Sequence, residues 1–189
     1  MKRTKNIISS LAVIFFTGTI QADETCMSPY MAKIQGQEDY VYVWTLGVEG
    51  LGDEQDKLVT IDTNPDSSTY AQVVSVLSVG SRNEAHHSGL SDDRHHLWAG
   101  GLDNSSIFIF DIHSDPRKPK LHKKITNFVE ATGGLVGPHT FYALPGRMMI
   151  SALSNNADHG GSTGLAEYTN AGDYVATYWL PTDGDLQGA

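Results

Sequence analysis

Short runs of alternating apolar and polar residues, cut off by Gly, Pro, Asp or Asn, recur from residue 40 to residue 180. Residues 40–46 read YVYVWTL, 57–62 KLVTID, 71–79 AQVVSVLSV, 106–112 SIFIFDI, 147–153 RMMISAL and 173–180 DYVATYWL. A period of two sends successive side chains to opposite faces of an extended backbone, so each run has a face to bury. β-Branched and aromatic residues fill the runs. Gly80, TNPDSS, DPRKP and Leu144-Pro145-Gly146 punctuate them. Apart from the N-terminal leader, no stretch sustains a helical apolar period. The chain is therefore predicted to be all-β and mostly antiparallel.

A coarser rhythm overlies the strands. "VTIDTNPDS" closes one unit near 59–67, and a strand followed by Asp-Ile and two prolines closes another near 111–119. "FYALPGRMMISAL" and "GLAEYTNAGDYVATYWL" supply the strands of a third. Units of about 40–50 residues with about four strands each are the mark of propeller blades. Three to four such units lie at the bottom of the range for a closed propeller. A chain that stops at WLPTDGDLQGA, straight after a strand, reads either as an unusually small β domain or as part of a longer propeller.

Residues 1–22 have the layout of a secretory signal peptide. Lys2, Arg3 and Lys5 form a basic start, Ile7 to Phe16 an apolar core too short to span a membrane, and small or polar residues lead to Ala22. Its removal leaves 23–189 as one domain, with 10 Lys and Arg against 22 Asp and Glu, a net charge of −12. Such a surface repels nucleic acid and anionic membranes. The single cysteine, Cys26, rules out an internal disulfide. By position it reads as a tail residue, with a reactive or metal-binding thiolate as the alternative.

Histidine is the unusual component. "NEAHHSGLSDDRHHLWAGG" at 83–101 holds His86, His87, His95 and His96, half of the chain's eight. Neutral imidazole is a common ligand for Zn, Cu, Fe and Ni. Neighbouring histidines on a straight strand point to opposite faces, so a shared metal requires a bend, for which Ser88-Gly89 is a candidate. His139, in "GGLVGPHTFYALPG", is predicted to start a strand. Its glycines permit close backbone approach, and Pro138 stiffens the lead-in. His159, in a Gly-rich turn, is a weaker candidate. The chain has no HExxH or CxxC motif, no nucleophile elbow and no P-loop. From spacing alone, solvated loop histidines are the commoner outcome than ligands.

Four segments together resemble the selenium-binding protein family. They are "TCMSPYMAKIQGQEDYVYVW" at 25–44, "EAHHSGL" at 84–90, "FDIHSDPRKPKLHKKI" at 110–125 and "GPHTFYALPGRMMISAL" at 137–153. The resemblance implies the N-terminal portion of a seven-bladed β-propeller. Bacterial exported members are copper-dependent methanethiol oxidases, which turn methanethiol, oxygen and water into formaldehyde, hydrogen sulfide and hydrogen peroxide. Carried over, His86, His87 and His139 become metal ligands and Cys26 a thiol or selenium site. The location implied is the periplasm. The alternatives are a non-catalytic selenium- or metal-binding protein and an inactive truncated fragment.

Overall fold

The computed structural model describes residues 28–34, 36–158 and 160–181. The signal-like stretch 1–22, Cys26 and His159 lie outside the described residues. Strands β1 (Tyr40–Thr45), β2 (Lys57–Asp62) and β3 (Val73–Ser78) form one antiparallel sheet. A second contains β4 (Ala85–Leu90), β5 (His96–Gly101), β6 (Ser106–Asp111) and β7 (Lys120–Ile125). A third contains β8 (Val136–Leu144), β9 (Arg147–Ser154), β10 (Gly164–Thr169) and β11 (Tyr174–Trp179). Every pairing joins strands adjacent in sequence, so each sheet is a meander. Among the described residues, the protein is all-β apart from one short helix.

That helix, α1 (Phe128–Thr132), links the second sheet to the third. Five residues are too few to show a helical apolar period, which is why the sequence concealed it. Phe128 and Thr132 are buried, and Gly133, at φ 76°, ends the helix in the left-handed conformation that glycine adopts without strain.

The three sheets stack face to face, and the middle sheet is buried on both sides. Ile107 and Ile109 of β6 point with Trp98 into a core shared with Phe128, Met148, Ile150 and Tyr168. Phe108 and Phe110 point the other way, with Leu97 and Ala99, against Leu58, Tyr42 and Trp44 of the first sheet. This corrects the alternation expected for 106–112: in SIFIFD apolar residues occupy both parities, because a strand covered on both faces has no polar side to present. The indole of Trp44 adds a polar tie, its Nε1 donating to the Gly100 carbonyl at 2.9 Å.

Both ends of the stack remain apolar. On the outer face of the first sheet, Val41, Val43 and Val76 are 44, 40 and 55% exposed. On the outer face of the third, Tyr142 and Tyr178 are 40 and 47% exposed.

The sheet boundaries correct the sequence-derived units. The turn at 63–67 joins β2 to β3, and the turn at 112–119 joins β6 to β7, so both fall within a sheet rather than at its end. Each precedes the last strand of its sheet. β7 reads KLHKKI, mostly exposed at the sheet edge, and offered little period-two signal.

A buried carboxylate locks the first sheet to the second. Asp56 is fully buried; its Oδ1 accepts the Gly47 amide at 2.8 Å and its Oδ2 the Asn83 amide at 2.8 Å. Asn83 lies just ahead of β4, so this carboxylate ties the β1–β2 loop to the start of the histidine strand. Asp56→Ala strands two buried amides and is expected to cost about 1–3 kcal/mol, read as a lower denaturant midpoint at unchanged m-value.

Candidate metal centre

Two β-bulges decide where the histidines point. Along β4, Ala85 lies opposite Gly101 and Ser88 opposite Ala99, so β4 advances three residues while β5 advances two. His86 and His87 occupy the surplus. A bulge suspends the strict alternation of side chains and re-aims those within it. The required bend is thus at the histidines themselves, and Ser88-Gly89 is regular strand. Glu84, just upstream, adopts φ 56°, an unusual conformation for a non-glycine residue.

The same device recurs on β8. Pro138 pairs with Ala152 and Phe141 with Ile150, leaving His139 and Thr140 in a second bulge. His139 therefore lies inside a strand rather than at its start, as the sequence suggested. The Thr140 amide, displaced from the ladder, donates to the Ser151 hydroxyl at 3.1 Å. His139 Nδ1 is 3.1 Å from the Thr140 hydroxyl, a contact that fixes the ring.

Glycines let the two bulged strands approach. A Cβ on Gly89 would lie 2.7 Å from the Phe141 carbonyl oxygen and 2.8 Å from Phe141 Cβ. A Cβ on Gly100 would lie 2.6 Å from the Pro138 carbonyl oxygen. β4 and β5 can therefore pack against β8 only because these positions carry no side chain.

The outcome is a convergent cluster. Ring centroids are 4.5 Å apart for His86–His87, 4.8 Å for His86–His139 and 4.2 Å for His87–His139, with the planes tilted by 42–54°. One ring nitrogen from each lies within 4.8 Å of the others. Burial, followed by the charge of His86, pushes His87 below the usual histidine range. Burial, followed by His87 and His86, does the same for His139. Both are therefore neutral at pH 7, the form that binds metal. A set of neutral imidazoles is a fit for copper and other late first-row ions.

Two further features adjoin the cluster. Glu84, two residues before His86, shares a hydrogen bond with the Asp103 carboxyl, which with burial raises its pKa. Arg82 pairs with the same Asp103 at 3.2 Å. The β5–β6 turn brings Asp103 alongside, a neighbour that the spacing in sequence does not reveal. Beyond Ser88 and Gly89 opens a cleft of about 360 Å³ lined by Met31, Ile34, Leu90, Leu97 and Phe141. A larger cleft of about 570 Å³, between the first and second sheets, contains none of the three histidines.

Of the other histidines, His95, His96, His113 and His122 lie elsewhere on the middle sheet. They pair with each other, His95 with His113 and His96 with His122.

Residues 20–180 match the family model described as 56kDa selenium binding protein (SBP56). A methanethiol oxidase of Ruegeria pomeroyi is 68% identical over 168 residues, covering 89% of this chain and 38% of the relative. A methanethiol oxidase of a Hyphomicrobium species is 61% identical over 165 residues, covering 86% and 38%. The chain thus spans about two-fifths of the length of these relatives. The crystal structure of a hypothetical selenium-binding protein from Sulfolobus tokodaii superposes with a TM-score of 0.67 at 26% identity, over 77% of this chain and 37% of that one. The three stacked antiparallel sheets, with the histidine segments in order along them, are part of that fold: this chain belongs to the 56kDa selenium-binding protein family.

Proposed function

We propose that this chain is the metal-binding portion of a copper-dependent methanethiol oxidase, with His86, His87 and His139 as copper ligands. The observation that carries this reading is the convergence of the three imidazoles, with ligand nitrogens within 4.8 Å, from bulges on strands of two different sheets. The strong identity to methanethiol oxidases of two bacteria supports the substrate. When bound, copper supplies one-electron redox chemistry toward a thiol and oxygen. The chain's own residues hold the ion and position the substrate. The neutral imidazoles of His87 and His139 keep their lone pairs available at pH 7. The cleft beside Gly89 offers apolar wall from Phe141, Leu90 and Met31 to the methyl group of a small thiol, with the Arg94–Glu38 ion pair also on its lining. Beside His86, the shared hydrogen bond with Asp103 and burial raise the Glu84 pKa.

The proposed net reaction joins methanethiol, oxygen and water and releases formaldehyde, hydrogen sulfide and hydrogen peroxide. The three sheets are read as successive blades of a larger propeller, whose neighbours would cover the apolar outer faces. Export to the periplasm through residues 1–22 belongs to the same proposal, as does a thiol or selenium role for Cys26.

The test is copper titration of the full chain beside a His86→Ala/His87→Ala/His139→Ala variant, with sulfide release from methanethiol measured in parallel. One tightly bound copper in the wild type and its loss in the variant are expected. Equal affinity in both would remove the metal centre from the proposal. A second reading, a metal- or selenium-binding protein without turnover, draws on the chain's limited share of its relatives' length. Copper binding with no sulfide release selects it, and covalent selenium capture abolished by Cys26→Ser assigns that role to the thiol.

A further inference from the structure

A second group of imidazoles lies on the face of the middle sheet that packs toward the third sheet. His96 of β5 sits opposite Asp111 of β6 in the antiparallel ladder. On β7, Lys123 pairs with Ile109 and Leu121 with Phe110, so His122 is the surplus residue of another β-bulge. His122 and Lys123 are thereby both turned to the Ile109 face. Lys123 is occupied there by the carbonyls of Ala171 and Gly172 and by the Asp173 carboxylate. His122 instead leans over β6 toward His96, and the two ring centroids come to 4.9 Å with planes tilted by 51°.

That geometry falls close to the spacing and within the tilt range of the His86–His87–His139 cluster. The neighbouring His95–His113 pair differs, its rings stacking at 3.8 Å and 28°. His96 Nδ1 is shut off from solvent and has no hydrogen-bond partner. A buried, unsatisfied polar atom of this kind calls for a partner. Burial and the neighbouring His122 lower the His96 pKa, which keeps its ring neutral at pH 7. Hydrogen bonds from Ser114 hold the Asp111 carboxyl at about 2, so the group beside these rings is a permanent anion.

We propose that His96 and His122 form a second site for a divalent transition-metal ion, distinct from the His86–His87–His139 centre. Two imidazoles are a donor pair for Cu(II), Zn(II) or Ni(II), and the Asp111 carboxylate across the ladder from His96 adds a nearby negative charge. With two imidazoles against three, it is the weaker of the two sites.

The test is Cu(II) titration of the full chain by calorimetry, with electron paramagnetic resonance at each equivalent. Four proteins are compared: wild type, the triple alanine variant of the first cluster, His122→Ala and His122→Gln. His122 is exposed, so neither substitution at it threatens the fold. Two equivalents are expected in the wild type, and one in each His122 variant. The triple variant should retain one, with a nitrogen-ligated spectrum. A second equivalent absent from the wild type, or one that survives in both His122 variants, overturns the proposal. Loss of binding in the triple variant's first cluster alone bears on the oxidase reading and leaves this one standing.

Discussion

Gly89→Ala is expected to abolish tight copper binding although it alters no ligand. Its new methyl would sit 2.7 Å from the Phe141 carbonyl oxygen and 2.8 Å from Phe141 Cβ. Both are backbone or backbone-proximal atoms that cannot rotate aside. β4 must therefore move away from β8, and it carries His86 and His87 with it while His139 stays on β8. Displacement by one ångström is enough to spoil a three-nitrogen site whose ligand atoms lie within 4.8 Å of one another. Overpacking of this kind costs about 1–3 kcal/mol. In a chain of this length that corresponds to roughly 2–4 °C of melting temperature per kcal/mol. Gly100→Ala, which meets the Pro138 carbonyl at 2.6 Å, is expected to behave alike through the neighbouring strand. Ser88→Ala, at an exposed position on β4, is the control and should change neither quantity. Copper titration beside thermal melting checks the prediction. Wild-type affinity in both glycine variants would show that the approach of the two strands does not set the site.

What the sequence disclosed and what it withheld follow from the same physics. Six strands, β1, β2, β3, β6, β9 and β11, are legible: aromatic and β-branched residues dominate five of them, and in β9, RMMISALS, an apolar run follows the Leu144-Pro145-Gly146 turn. The histidine strand β4, AHHSGL, has one strongly apolar residue and a broken alternation, so it reads as a loop. The broken alternation is itself the bulge that builds the site. β7 fails for the complementary reason, since an exposed edge strand needs no apolar side. The identity of the cluster was within reach, because the residues His86, His87 and His139 stand in recognisable strings. Its geometry was not, because a bulge is a matter of register between two strands, and a single strand carries no record of its partner. Gly89 and Gly100 look like ordinary strand breakers until Phe141 and Pro138 are placed above them. Asp56 and Asp103 are likewise anonymous among 22 acidic residues until the turns bring each to its partner.

Phe108→Ala is expected to be among the most destabilising single changes in this chain, at about 3–5 kcal/mol. Phe108 lies at the centre of β6 with no exposed surface, in the sheet that is covered on both faces. Its ring packs at 5.4 Å from the Trp44 ring and 6.4 Å from that of Phe110, and the Lys124 ammonium lies 5.0 Å from its centroid. Truncation removes this contact with the first sheet and leaves a cavity that β6 cannot close. Movement toward the first sheet would pull Ile107 and Ile109 out of the opposite core. A strand buried on both sides has no direction in which to relax, so the cost falls at the upper end of the range for large-to-small changes. A domain with a typical 5–15 kcal/mol of stability would lose a large share of it. Val76→Ala provides the contrast. Val76 faces outward from the first sheet and is 55% exposed, so if nothing covers that face in solution the change should stay within about 0.5 kcal/mol. Denaturant unfolding of the two variants reads the difference directly. A Val76→Ala cost approaching that of a core valine would mean the outer face is covered in solution. A Phe108→Ala cost below about 2 kcal/mol would mean the first and second sheets do not share a packed core.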